Sequence, residues 1–172
     1  MEEISTRIAC GLTHTIATNS EGKVFAWGDS RFGQLGNERE RAQITPVCVD
    51  SGFENDGSDS LVGKSVMQTA CGAHHTVLLA ADGTVYSFGK RDNGRLGVGD
   101  EASFRSPIHG GKRSGFVPIL VKYFLGIVYD EATRLESHVK RPRSISFIAC
   151  GSDHTLGVDE AGRVYALSLI HI

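Results

Sequence analysis

The chain has 172 residues, of which 18 are Lys or Arg and 20 are Asp or Glu, giving a formal net charge of −2. That length suits one ordinary domain, and the near-neutral balance excludes a global field made for nucleic acid or acidic substrates. Glycine, at 21 residues, is well above ordinary usage, has no collagen period and recurs at fixed offsets, which points to obligatory tight turns.

Met1-Glu2-Glu3-Ile4 is acidic and lacks an apolar core, so nothing there resembles a secretory signal. Ala9-Cys10-Gly11 comes next, followed by His14-Thr15. Thr15–Thr18 and Lys23–Trp27 are short and rich in β-branched and aromatic residues. They read as two strands of a hairpin turning at Gly22. Trp27-Gly28 leads to a turn bracketed by Gly33 and Gly36 around one buried leucine. Pro46-Val47-Cys48-Val49 then reads as a further strand with proline at its start, where no ladder donor is needed.

The whole series recurs 61 residues later as Ala70-Cys71-Gly72, His75-Thr76, Gly83, Phe88-Gly89, Gly94-Arg95-Leu96-Gly97 and Pro107-Ile108. A third copy begins 79 residues beyond the second, with Ala149-Cys150-Gly151, His154-Thr155, Gly162 and Val164. The second unit therefore carries 18 extra residues. No helical period is sustained. Several short strands per unit imply an all-β repeat architecture, and units of this length fit propeller blades better than solenoid coils. The expected organisation is a first repeat with spacer over 1–68, a second repeat over 69–147 with an inserted segment 109–147, and the start of a third over 148–166.

This multi-part pattern closely resembles the regulator of chromosome condensation repeat family. The resemblance implies a β-propeller, here a partial one with two nearly complete repeats and the start of a third; about seven such units close the ring in that family. Its best-known members are exchange factors for the small GTPase Ran, and others are adaptors or modules joined to ubiquitin ligase, kinase or trafficking domains. After Ala166 the repeat calls for an aromatic residue and glycine, but Leu167-Ser168-Leu169-Ile170-His171-Ile172 follows. That hexapeptide is the translation of a transposase end sequence used in sequencing libraries, and 167–172 is expected to be a non-native scar.

Cys-x-x-x-His occurs three times, at Cys10/His14, Cys71/His75 and Cys150/His154. Zinc needs four converging ligands, whereas equivalent positions in separate blades diverge. The expected role is structural: a buried thiol, with a histidine tying strand to turn. His74, unmatched in the repeat, is expected to face solvent. The thiols are expected to be reduced, in cytosol or nucleus. Gly94 to Gly99 lacks the helix and Lys-Ser/Thr of a phosphate loop, and no serine sits in Gly-x-Ser-x-Gly. No catalytic, cofactor-binding or metal-ligating residue is assigned. Lys140-Arg141-Pro142-Arg143-Ser144 suits a solvated loop better than an import signal or phosphate patch.

Within the insertion, Phe116 to Tyr129 is apolar but interrupted by Lys122 and too short to span a bilayer. It either presents a strand to a partner or completes the blade, with Pro118–Val121 as an outer strand displaced from Pro107. The expected function is a non-catalytic protein-interaction scaffold. The alternatives are guanine nucleotide exchange on a Ran-like small GTPase, or a regulatory propeller within a larger protein such as a ubiquitin ligase. Nucleic acid is not expected as a direct partner.

Overall fold

Short β-branched runs separated by glycine turns leave the chain little choice but antiparallel hairpins. The computed structural model describes residues 7–49, 61–98, 115–121 and 144–167, together with the backbone of 127–130 and 135–138. β1 (Arg7–Cys10), β2 (His14–Thr18), β3 (Val24–Gly28) and β4 (Gln43–Cys48) form one four-stranded sheet in chain order. β5 (Val66–Cys71), β6 (His75–Ala80), β7 (Val85–Gly89) and β8 (Ile119–Leu120) form a second. β9 (Ile127–Asp130) and β10 (Leu135–His138) make a separate hairpin. β11 (Ile145–Cys150), β12 (Thr155–Asp159) and β13 (Val164–Leu167) form a third blade. The described residues include no α-helix, only a 3-10 turn at Asp92–Gly94, and no helix long and apolar enough to cross a membrane. The result is a partial β-propeller.

The repeated motif hid one strand. β1, β5 and β11 contain the Ala-Cys pairs themselves, and β5 contacts both β1 and β11. These strands lie side by side between successive blades, while β4 and β8 are the opposite edges.

Stacking blades buries two apolar layers. Ile16, Val24, Ala26, Leu35 and Val49 of the first blade meet Val66, Leu78, Ala80, Tyr86 and Phe88 of the second. Val77, Leu79, Val85 and Val121 then meet Ile145, Ile148, Tyr165 and Leu167 of the third. The middle blade is covered on both faces, so every residue of β6 and β7 is buried. That double cover is why Val77-Leu78-Leu79-Ala80 is uniformly apolar, not alternating.

Three details correct or sharpen the sequence reading. Pro46 lies inside β4, not at its start, and the β3–β4 register shifts between Ala26 and Gly28. An outer edge strand with an irregular ladder is a place where a missing N–H costs little. The outer strand of the second blade is Ile119–Leu120, so the displaced-strand alternative describes this segment; Pro107-Ile108 lies outside the described residues.

The third detail concerns the extra length. Val47 and Ile119 hold equivalent register positions 72 residues apart, against 61 for the elements before them. Eleven of the eighteen extra residues therefore lie between β7 and β8, and seven follow β8. Lys140–Arg143 also falls outside the described residues. Leu167 pairs with Thr155 in the register of Trp27 with Thr15 and Phe88 with Thr76, and it is buried; 168–172 are outside the described residues.

Candidate interaction surface

The sharp turn between the first two strands of each blade brings its histidine back over its glycine. A Cβ on Gly11, Gly72 or Gly151 would collide with the imidazole of His14, His75 or His154, and at Gly72 it would also lie 2.7 Å from the Gly151 carbonyl oxygen. The next glycine, Gly28 or Gly89, has φ of +105° or +112°, and its Cβ would sit 2.7 Å from the Cα of His14 or His75. Glycine is required at these places by close approach. Gly22, Gly83 and Gly162 turn the following hairpins.

His14 and His75 do not tie strand to turn within their own blade; each reaches into the next one, whereas His154 of the third blade is exposed. His14 Nε2 lies 2.9 Å from Thr76 Oγ1, and that hydroxyl donates to the Gln34 carbonyl at 2.9 Å. The second junction repeats this: His75 Nε2 lies 3.0 Å from Thr155 Oγ1, which donates to the Arg95 carbonyl at 2.9 Å. Since each threonine has spent its proton on a carbonyl, the histidine must be the donor, with its hydrogen on Nε2. Nδ1 of both rings is buried without a partner. A second ring proton would have no acceptor there. Burial, helped by the neighbouring His74, lowers His14 from 6.5 to about 4, against the opposing pull of Asp29. Burial, then Arg95 and His14, lowers His75 to about 4 as well.

Further bonds pin the junctions. The Gln68 side chain donates to the Ile148 carbonyl at 2.8 Å and accepts its N–H at 3.0 Å. Backbone bonds run from Leu12 to Ala73 and from Ala73 to Ser152. The cysteines sit on neighbouring strands: the Cys71 thiol donates to the Ala9 carbonyl at 3.6 Å, and burial, with Cys150 next in effect, pushes it up to about 12. Burial likewise raises Cys150 to about 12, so neither is a ready thiolate. Cys10 is exposed, unlike the buried thiol expected, and all four cysteines are free. Among the described residues no group of three His, Cys, Asp or Glu side chains could hold a metal ion.

The repeat residues are thus occupied in joining blades, and what varies lies in the loops beside them. The glycine-bracketed turns, Gly33–Gly36 and Gly94–Gly97, each sink one leucine, Leu35 or Leu96, into the core. The residue before that leucine differs. Gln34 accepts the Phe32 N–H at 2.9 Å, whereas Arg95 is buried, donates to the Asp92 carbonyl at 2.7 Å and pairs with Asp153. His74 occupies the place of Asp153 at the first junction. Instead of facing solvent it packs on Phe32, ring centroids 5.1 Å apart, with Lys90 Nζ 5.2 Å from the same ring. Gln34, Arg95 and Phe32 carried no repeated signature, so only their variation inside an otherwise constant turn could have marked them. Two hollows of about 230 and 290 Å³ open on the described surface, both smaller than the range usual for drug-sized ligands.

Comparison with known proteins places this geometry. A family model described as the Regulator of chromosome condensation (RCC1) repeat matches residues 21–79 and 82–158, and a second of the same description matches 6–34 and 67–95. The probable E3 ubiquitin-protein ligase HERC4 of Rattus norvegicus is 29% identical over 160 residues, covering 92% of this chain and 12% of that protein. The protein RCC2 homolog of Danio rerio is 29% identical over 167 residues, covering 96% of this chain and 31% of that protein. This chain therefore spans less than a third of the length of either relative. Among solved structures, human WBSCR16 superimposes with a TM-score of 0.66 at 20% identity, over 98% of this chain and 34% of its own. Prp20p of Saccharomyces cerevisiae, described with its binding to Gsp1p and histones, gives 0.64 at 23% identity, over 93% and 32%.

Proposed function

This chain belongs to the regulator of chromosome condensation (RCC1) repeat family, and from that premise we propose that it serves as a non-catalytic protein-interaction module. The observation that carries the reading is how the histidines are used. His14 and His75, the side chains best suited to acid–base work, are buried, neutral and bonded across blade junctions, while the differing residues gather in the loops beside them. Rigid repeats with variable loops are the usual arrangement of a binding scaffold. The partner is a protein, and a small GTPase is the first candidate because Prp20p is described with Gsp1p. Four free cysteines fit a reducing compartment, cytosol or nucleus. The HERC4 similarity supports a second setting, a regulatory propeller attached to a ubiquitin ligase, with the chemistry residing elsewhere in that protein.

Two measurements on the full-length protein test this. Release of a fluorescent guanine nucleotide from a Ran-type GTPase is expected to stay at its intrinsic rate; strong acceleration would replace the scaffold reading with exchange. Proximity labelling in cells is expected to lose partners when the exposed loop residues 38–42 are replaced by glycine and serine, which spares the buried Gln34 and Leu35. An unchanged partner set after that replacement and after replacement of the exposed Asp92 and Asn93 by serine would refute it.

A further inference from the structure

The two blade junctions are built from equivalent residues, yet at one spot they differ in kind. Arg7 pairs with Thr18 in the register in which Gln68 pairs with Leu79. At the second junction these positions are spent. The Gln68 side chain bonds the Ile148 backbone, Leu79 is packed in the core, and Ala80 and Ala81 follow it. At the first junction Arg7, Thr18, Asn19 and Ser20 stand in their place and, with Ser65, line the hollow of about 230 Å³. Thr18 is only 1% exposed, and its hydroxyl makes no hydrogen bond among the described residues. The hydroxyls of Ser20 and Ser65 and the guanidinium of Arg7 likewise have no partner among the described residues. The carboxylates beside these turns, Glu21 and Asp82, are already paired, with Lys23 at 3.0 Å and with Lys64, which leaves the Arg7 charge uncompensated among the described residues.

We propose that this hollow binds the phosphate of a phosphorylated serine or threonine on a partner protein. Threonine in place of the junction's leucine removes apolar volume and puts a hydroxyl on the buried wall of the space. Arg7 from β1, Thr18 and Ser20 from the end of β2, and Ser65 from the entry to β5 bring donors from three separate segments. A phosphate monoester carries nearly two charges at neutral pH and three acceptor oxygens. It therefore matches a guanidinium and several hydroxyls better than a planar carboxylate does. The volume is below that usual for drug-sized ligands and suits one phosphorylated side chain. Met67 also lines the hollow and is 40% exposed, offering the carrier peptide an apolar contact that a free phosphate ion cannot use. This inference rests on the interaction-module reading and names the chemistry of one partner.

The test is fluorescence anisotropy of the full chain with a fluorescein-labelled Ala-Leu-phosphoserine-Leu-Ala peptide, against the same peptide carrying serine or glutamate at its centre. The phosphopeptide is expected to saturate and both controls to bind at least about tenfold more weakly, the worth of one hydrogen bond to a charged group. Arg7→Ala is expected to weaken the phosphopeptide by a similar factor. Thr18→Leu, which fills the hollow as Leu79 fills the second junction, is expected to abolish saturable binding, with folding of each variant checked by circular dichroism. Inorganic phosphate is expected to displace the phosphopeptide only in large excess. Displacement by phosphate at the peptide's own concentration would make the ligand a free ion and overturn the partner assignment. No saturable binding of the phosphopeptide, equal binding of either control, or indifference to either substitution would overturn the site itself. None of these results bears on the nucleotide-release or labelling measurements, so this site can fail while the wider reading stands.

Discussion

Acidification from pH 7.5 to 4.5 puts the blade junctions under direct strain, because each depends on a neutral histidine. In the unfolded chain His14 and His75 titrate near 6.5, but in the folded protein both are held down to about 4. The unfolded state therefore binds protons more readily between those values. The contribution is complete above pH 6.5 and is lost as the pH falls toward 4. At pH 4.5 the loss is about 2.5 kcal/mol per histidine, or about 5 kcal/mol for both. That is comparable with the entire margin of a marginally stable domain, about 5–15 kcal/mol. Urea unfolding followed by Trp27 fluorescence, repeated from pH 8 to pH 4.5, reads this directly. The expected slope reaches about 2.4 kcal/mol per pH unit near pH 5.5, and His75→Gln, which keeps an amide donor for Thr155, is expected to halve it. Asp82 and Asp159, both held near pH 2, add to acid loss only below their ordinary value of 3.8, so the two effects separate along the pH axis. Stability that stays flat from pH 7 to 5, or an unchanged slope in His75→Gln, would refute the assignment of buried neutral histidines.

The remaining predictions concern single side chains. Gly72→Ala drives a methyl group into the His75 ring and against the Gly151 carbonyl, and a loss of about 3 kcal/mol is expected in chemical denaturation. Thr155→Val keeps the shape but leaves the His75 N–H and the Arg95 carbonyl unpaired, at a cost of about 2–4 kcal/mol, while Thr155→Ser restores most of it. Asp159 accepts the N–H groups of Ala161 and Arg163 on Oδ1, and the Tyr165 hydroxyl and Arg163 Nε on Oδ2. Asn19 makes the matching turn bonds to Glu21 and Lys23 in the first blade. Asp159→Asn is therefore expected to keep the turn and lose about 1–2 kcal/mol in thermal unfolding, the share of the charge-assisted bonds.

The sequence by itself determined the blades. Constant offsets of glycine, histidine and threonine gave the unit, and β-branched runs around Gly22, Gly83 and Gly162 gave the hairpins, because turns and alternation are local properties that residue type dictates. It left β1, β5 and β11 unread, since Arg7–Cys10 is a short run whose pairing is settled only once β2 lies beside it. It also assigned the histidine bonds to the wrong partner. A hydrogen bond spanning 62 residues, from His14 to Thr76, has no local signature: both residues repeat, but only stacking shows that one blade's histidine meets the next blade's threonine. The burial of Arg95, the turning of His74 onto Phe32 and the capture of Ile119–Leu120 as an outer strand were decided the same way. Each depends on which surface a neighbouring blade or loop covers, and that is a property of the packed molecule.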